Sequence, residues 1–378
     1  MHRTCLSPGQ LALDLAIPDL SDPADGPHAI QLVAELAVSA LAAAWRQEPA
    51  IRWCRGPRIV PVADNYDDLG YDPADITRAE RYSRYVDGER MLRSHSTALI
   101  PPALRQLARD QAACGQPADV LLACPGISYR RDVIDWQHSG TPHQLDLWRI
   151  SRAPLGAADL DQMIAALLAA VLPGRRSRQV AREHPYTTGG RQVDVWHDGG
   201  WVEVWECGLA RPAILARAGL RGCTGLALGL GLDRMLMLAK GIPDIRLLRS
   251  ADPRVAAQLQ DLAPYRAVSR HPAVRRDISV AVGPADDDET LGDRVRDALG
   301  PDGDAVEEVA VLSCTEAAQL PPAAIDRLGL QPGQRNLLVK VVLRRLDATL
   351  TDTEANELRD RIYTAIHQGS RQQLATSR

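Results

Sequence analysis

The sequence predicts an α+β chain in two parts: an antiparallel sheet flanked by helices over residues 1–260, then a smaller split βαβ unit over 264–371. Two observations predict this. Segments that alternate polar and apolar residues, the period of a half-buried strand, run through the first part between helical segments and include a tight hairpin. Beyond residue 264 the order becomes β-α-β-β-α, that of a split βαβ unit without its last strand. With 378 residues the chain is also too long for one ordinary core.

In chain order, residues 28–48 (HAIQLVAELAVSALAAAWRQE) have apolar residues at helical spacing and predict an amphipathic helix after Pro27. Residues 49–90 are polar and turn-rich. A helix is expected over 98–113, delayed by Pro101 and Pro102, then a buried strand VLLAC (120–124) ended by a turn at Pro125-Gly126. HQLDLWRIS (143–151) reads as a strand and residues 157–171 as an Ala/Leu helix. QVDVW (192–196) and WVEVWECG (201–208) form a hairpin about Gly199-Gly200. The Gly-rich GLALGLGLDRMLMLAKG (225–241) passes from strand to helix and stops at Gly241. Pro253 and Pro264 mark 250–268 as a connector. Strands at 276–282, 307–313 and 337–346 and helices at 289–299 and 351–369 complete the chain, the last with a capping box at Thr351 and Glu354.

Hydrophobic residues at 45% and charged residues at 24% exclude a disordered chain. No apolar run reaches the roughly eighteen residues of a membrane span. The opening MHRTCLSPGQLALDLAIPDL lacks a signal-peptide core, so a cytoplasmic address is expected. A net charge of −4 gives no global basic field, which leaves nucleic-acid binding to local patches. Seven cysteines without CxxC spacing predict scattered, mostly buried thiols rather than zinc ligands or disulfides. Only two of the 44 cationic residues are lysines, Lys240 and Lys340, and phenylalanine is absent although there are eight Tyr and seven Trp.

Four segments carry more polar chemistry than core strands need. They are Tyr129-Arg130-Arg131-Asp132 with Asp135 and His138; His143-Gln144-Leu145-Asp146, in which Gln144 and Asp146 share a face; Glu203 in an apolar strand; and Gly229-Leu230-Gly231-Leu232-Asp233-Arg234. Two inward arginines can fork onto the oxygens of a triphosphate. Bare glycines let a flat nucleotide approach, a strand carboxylate can hold Mg2+ with the phosphates, and a carboxylate can receive an ammonium group. Singly, each has a plainer reading: surface arginines paired with neighbouring aspartates, a common glycine-rich strand end, a structural histidine. Together, in this order, they point to nucleotide chemistry.

Residues 64–250 resemble the catalytic domain of a class II aminoacyl-tRNA synthetase of the phenylalanyl type. The resemblance is carried by NYDDL (65–69), LRSHST (92–97), YRRDVIDWQH (129–138), HQLD (143–146), VEVWECG (202–208) and GLGLDR (229–234). Residues 264–369 resemble the ferredoxin-fold anticodon-binding domain of the single-chain, organellar form, through YRAVSRHPAVRRDISV (265–280) and ATLTDTE (348–354). The resemblance implies ATP and Mg2+, an amino acid and tRNA as partners, no membrane, and a monomer or a homodimer, with the 28–48 helix where class II enzymes carry their dimer-forming segment.

It further implies Arg130 and Arg234 as the catalytic arginines, on the α- and γ-phosphates. His138 and Gly231 join them at the ATP, and Glu203 associates with the metal. His95, Thr97, Gln144 and Asp146 match amino-acid-binding positions, and Ala227 lines the side-chain pocket. His184, Tyr186 and Glu206 depart from the family pattern and place polar groups near an aromatic substrate. Asp146 is one methylene shorter than the usual Glu. Arg270, Arg275, Arg276 and Arg345 are the expected tRNA contacts. The expected function is ATP-dependent activation of phenylalanine or a polar relative and its transfer to a phenylalanine-type tRNA. Transfer to a carrier protein or small molecule, or a non-catalytic sensing role, are the alternatives. The absence of phenylalanine suggests translation when charged phenylalanine tRNA is scarce or carries another amino acid; lineage drift is the plainer explanation.

Overall fold

A computed structural model describes residues 5–45, 47–79, 82–114, 119–268 and 271–372. It falls into two compact units that interleave along the chain: Met1–Arg130, Thr141–Ile242 and Gln258–Tyr265 form the first, and Arg131–Gly140, Pro243–Ala257 and Arg266–Arg378 the second. No helix among the described residues is long and apolar enough to cross a membrane.

The first unit holds strands β1 (Ala50–Trp53), β2 (Ile59–Pro61), β3 (Arg90–Leu92), β4 (Asp119–Ile127), β5 (His143–Ser151), β6 (Ser177–Ala181), β7 (Thr187–His197), β8 (Gly200–Ala210) and β9 (Thr224–Gly231). Seven of them form one sheet in the order β1-β4-β5-β9-β8-β7-β6, antiparallel except at the β1–β4 edge, while β2 and β3 pair separately. Helices Ala29–Ala44, Ala157–Val171 and Leu232–Lys240 pack on one face of the sheet. Against the other face, Leu99, Ile100, Leu104 and Leu107 join Ile214 and Leu215 over Leu122, Cys124, Trp148, Ile150 and Ala227.

Three expectations change. The strand at 120–124 does not stop at Pro125 but runs on to Ile127. Ala123 turns its carbonyl toward β1 and accepts from the Cys54 amide at 2.8 Å, so Pro125, two residues on, turns the same way. The last β1 pair is Trp53 with Ala123, and no ladder bond is lost where Pro125 lacks an N–H. The hairpin turns at Asp198 (φ 44) and Gly199 (φ 88), a positive-φ pair suited to the strand twist, and Gly200 already belongs to β8. The exposed strand β6 was not visible in the sequence, because no residue in it is buried to set an alternating pattern. Among the described thiols Cys124, Cys207 and Cys223 are buried, but Cys5 and Cys314 are exposed, so burial is less general than expected.

In the second unit β10 (Val274–Val282), β11 (Val306–Glu316) and β12 (Arg335–Leu343) form an antiparallel sheet in the order β10-β12-β11. Helices Asp288–Leu299 and Asp352–Ile366 supply Leu291, Val295, Leu358 and Ile362 to the core with Ile278, Val280, Val339 and Val341. The expected capping box is present: the Glu354 amide donates to Thr351 Oγ1 at 3.2 Å and the Thr351 amide to Glu354 Oε2 at 2.8 Å. Segment 131–140 belongs to this unit. Its Arg131 pairs with Asp293 at 2.9 Å, Arg296 donates to the Val133 carbonyl at 2.6 Å, and the Val309 amide donates to the Ile134 carbonyl.

One buried ion pair organises the first unit next to the site face. Arg93 is 2% exposed; it donates through Nε to the Ile127 carbonyl at 2.7 Å and pairs with Asp19 at 3.4 Å. Asp19 in turn accepts from the Ile127 amide at 2.9 Å and from Ser21. Burial alone would raise its pKa, yet the Ser21 and Ile127 bonds and the His143 and Arg93 charges outweigh it and lower it. The guanidinium occupies the space beside Gly126, where an added Cβ would lie 2.1 Å from Nη2 and 2.6 Å from Cζ. Gly126→Ala is therefore expected to destabilise the fold by about 1–3 kcal/mol in urea unfolding. Gly88→Ala, whose Cβ meets nothing within 4 Å, is expected to change stability by less than about 0.5 kcal/mol.

Candidate active site

The site is built on three adjacent strands. In register, Asp146 of β5 lies opposite Gly229 of β9, which lies opposite Glu206 of β8. One row over, Trp148, Ala227 and Gly208 stand in line, and Gln144 pairs with Gly231. Even-numbered positions of β5 therefore share a face whose middle strand contributes Gly229, Gly231 and Ala227. That floor has almost no side chains.

Glu203 reaches this face only through a break in regular pairing. Three residues from Glu206, it would point to the opposite side of a regular strand. Between β7 and β8 the register shifts, with Val193 opposite Trp205 but Asp194 opposite Glu203. Gln192 opposes Glu206 and shares its face with Asp194, so the bulge turns Glu203 to the side of Glu206. Arg234, in the first turn of the Leu232–Lys240 helix, donates through Nη1 to the Glu203 carbonyl at 2.8 Å. The Glu203 carboxyl titrates above its ordinary value because it is buried and near Glu206, while the Arg234 and Arg130 charges oppose that rise. Both arginines named from the sequence thus place positive charge near this carboxyl.

The neighbouring end of the face holds the residues expected for the amino acid. Asp146 is 3% exposed and accepts from Ser96 Oγ at 2.5 Å; burial pushes its pKa up to about 6 despite that bond. Thr97 is buried beside Asp146 and Tyr186. The Gln144 oxygen accepts from the Ser96 amide at 3.1 Å and from Ser128 Oγ at 2.8 Å, so both its lone pairs are used. Gln144 therefore presents its amide N–H2, while the Asp146 carboxyl can act as an acceptor. His95 stacks on Tyr71 with ring centroids 5.9 Å apart and meets the edge of Tyr66 at 6.2 Å. Burial, followed by the His184 and Arg130 charges, lowers its pKa to about 3, so the imidazole is neutral.

His184, Tyr186 and Glu206 form a second wall. His184 Nε2 lies 2.5 Å from Glu206 Oε2, Arg182 Nε is 3.1 Å from Oε1, and the His184 ring stacks on Tyr186 at 5.1 Å. Tyr186 leans on Trp148 at 5.8 Å, above Ala227, which is 1% exposed. Burial would raise the Glu206 pKa, but the His184 contact and the Arg182 charge outweigh it and hold the carboxylate ionised. Burial, followed by the Tyr71, Asp146 and Glu206 groups nearby, drives the Tyr186 hydroxyl well above its ordinary range.

His138 belongs to the second unit, where Asp135 accepts from its backbone amide at 2.9 Å and contacts its ring at 2.8 Å. Arg275 is exposed on β10, and Arg276 bonds Asn356 at 3.2 Å and Asp352 at 3.3 Å. Arg345 faces Glu354 at 3.8 Å, and Arg270 lies outside the described residues. His143 is pinned: its ring contacts Asp233 at 2.8 Å and accepts from the Leu20 amide at 3.1 Å, which makes it structural. Residues missed in the sequence are Trp148, Tyr71, Ser96 and Arg182. Tyr71 follows NYDDL by only two residues, a signal that was available; Trp148 looked like any core strand aromatic.

Known proteins show the same pattern. Residues 52–259 match the family described as "tRNA synthetases class II core domain (F)". The chloroplastic/mitochondrial phenylalanine--tRNA ligase of Arabidopsis thaliana is 26% identical over 319 residues, covering 80% of this chain and 68% of that protein. The phenylalanine--tRNA ligase alpha subunit of Mycobacterium avium is 30% identical over 255 residues, 64% of this chain and 70% of that one. The alpha subunit of Prochlorococcus marinus is 32% identical over 209 residues; this chain spans 59% of its length, under two thirds. With more than half its length matched to that core, and with the bare-floored antiparallel sheet described above, this chain belongs to the class II tRNA synthetase family.

Proposed function

We propose that the protein activates an aromatic amino acid, phenylalanine or a polar relative, with ATP and transfers it to a phenylalanine-type tRNA. The observation that carries the proposal is that Arg234, bonded to the Glu203 carbonyl, and the Arg130 charge both lie near the Glu203 carboxyl, on a face that also holds Asp146 and Gln144. The relatives named above are all tRNA ligases, which favours tRNA over a carrier protein as the acceptor. The compartment is that of the tRNA it charges.

In this reading a carboxylate oxygen of the amino acid attacks the α-phosphorus of ATP in line, and pyrophosphate leaves. Arg130 and Arg234 neutralise charge on the phosphates and need no proton transfer of their own. Asp146 receives the ammonium group, and Gln144, whose oxygen is occupied, donates to the amino-acid carboxylate. Neutral His95 bounds the pocket without adding a charge that would repel the ammonium. Glu203 fits Mg2+: one carboxylate plus phosphate oxygens is the usual donor set, and no group of three His, Cys, Asp or Glu is present among the described residues to cage an ion. Mg2+ bound there would supply further charge stabilisation to the triphosphate. The second unit is an anticodon-binding-like domain, with Arg275 and Arg345 facing solvent for the tRNA backbone.

Arg130→Ala and Arg234→Ala are each expected to lower kcat for amino-acid-dependent ATP–pyrophosphate exchange by about 100- to 1000-fold, with the thermal midpoint little changed. Arg275→Ala with Arg345→Ala is expected to raise KM for tRNA and flatten its salt dependence while leaving exchange intact. Asp146 gives a pH signature. Its pKa of about 6 lies above the unfolded value, so the proton is lost only as pH rises through that point. KM for the amino acid is therefore expected to rise about tenfold per pH unit below 6 and to level off above it. In Asp146→Asn, KM is expected to be high and flat across the same range.

A further inference from the structure

Glu206 has no part in the chemistry above, yet its carboxylate is largely buried on the site face. Neighbouring strands lie about 4.8 Å apart, so the Cα atoms of Asp146 and Glu206 flank Gly229 at a separation of about 10 Å. The middle strand itself puts no side chain between them, since Gly229 has none. A Cβ added at Gly229 would already stand 3.8 Å from both Asp146 carboxylate oxygens. The space above Gly229 is bordered by flat rings that meet one another: Tyr71 stacked on His95, and Tyr186 stacked on His184 at an interplanar angle of 8°, with the Tyr71 and Tyr186 centroids 6.4 Å apart.

One end of this space has a clear role. Asp146 is set to receive an ammonium group. Glu206, at the other end, is held in one orientation by His184 on Oε2 and Arg182 on Oε1. A carboxylate has about four lone-pair positions, so each oxygen keeps one for another donor. It is an acceptor only, and it cannot satisfy a substrate group that also only accepts. A bare phenyl ring placed there would desolvate the carboxylate and give nothing back.

We infer that Glu206 is the specificity residue of this site, accepting a hydrogen bond from a hydroxyl or amino group on the side chain of the amino acid, so that a ring bearing such a donor is preferred to phenylalanine. His184 and Arg182 act as positioning residues. The inference rests on reading the chain as an amino-acid-activating enzyme. It agrees with the absence of phenylalanine from the sequence, since a chain without phenylalanine is unchanged when phenylalanine tRNA carries another amino acid.

The test is ATP–pyrophosphate exchange by the full chain with phenylalanine, tyrosine, meta-tyrosine and 4-aminophenylalanine. At least one donor-bearing ring is expected to exceed phenylalanine in kcat/KM by about tenfold or more. Glu206→Ala is expected to erase that preference, chiefly through a higher KM for the donor-bearing rings. Glu206→Gln, of nearly the same shape, is expected to narrow it, which separates the effect from misfolding. Exchange with phenylalanine as the best substrate, or a preference unmoved in both variants, overturns the inference and leaves amino-acid activation standing. No exchange with any of the four overturns both. Arg130→Ala should depress all four substrates equally, a pattern no specificity residue produces.

Discussion

Everything in the site depends on one constraint of sheet geometry: the middle strand of three carries glycine or alanine wherever it faces the pocket. Gly229, Gly231 and Ala227 leave a floor that the neighbouring strands, β5 and β8, cannot cover without losing their own pairing. The residues on either side therefore become walls, and their chemistry decides what the floor can hold. Asp146 and Gln144 stand on one wall and Glu203 and Glu206 on the other, with the Leu232–Lys240 helix delivering Arg234 to the far end.

Burial then sorts these groups by charge. Desolvation pushes Asp146 and Glu203 up and His95 down, each toward its neutral form. Glu206 moves the opposite way to Asp146 and Glu203, because His184 and Arg182 sit on it directly. An ammonium or a cation entering beside Asp146 or Glu203 relieves a penalty the fold has already incurred. Binding and protonation are coupled there by the same electrostatics that shape the empty pocket.

The strands, the long helices and the capping box at Thr351 follow from periodicity and from local hydrogen bonding, which act over a few residues. Where pairing across the sheet intervened, local signals misled. Pro125 and Gly126 look like a strand end, but the strand continues because β1 has already stopped and because Arg93 needs the space a side chain would fill. His143, which taken singly reads as a structural histidine, is fixed between Asp233 and the Leu20 amide, partners 90 and 123 residues away.

The amino-acid order alone determined alternating strands with a tight hairpin, a Gly-rich strand feeding a helix with Arg234, and a paired acceptor and amide at 146 and 144, because period-2 spacing and fixed backbone geometry impose them. Which face Glu203 points to was decided only in three dimensions. A single extra residue in β8 inverts the alternation, and nothing in the spacing of VEVWECG marks where that residue falls. The same holds for the clasp of His184 and Arg182 on Glu206, since side chains about twenty residues apart meet only after β7 and β8 have paired and set their register.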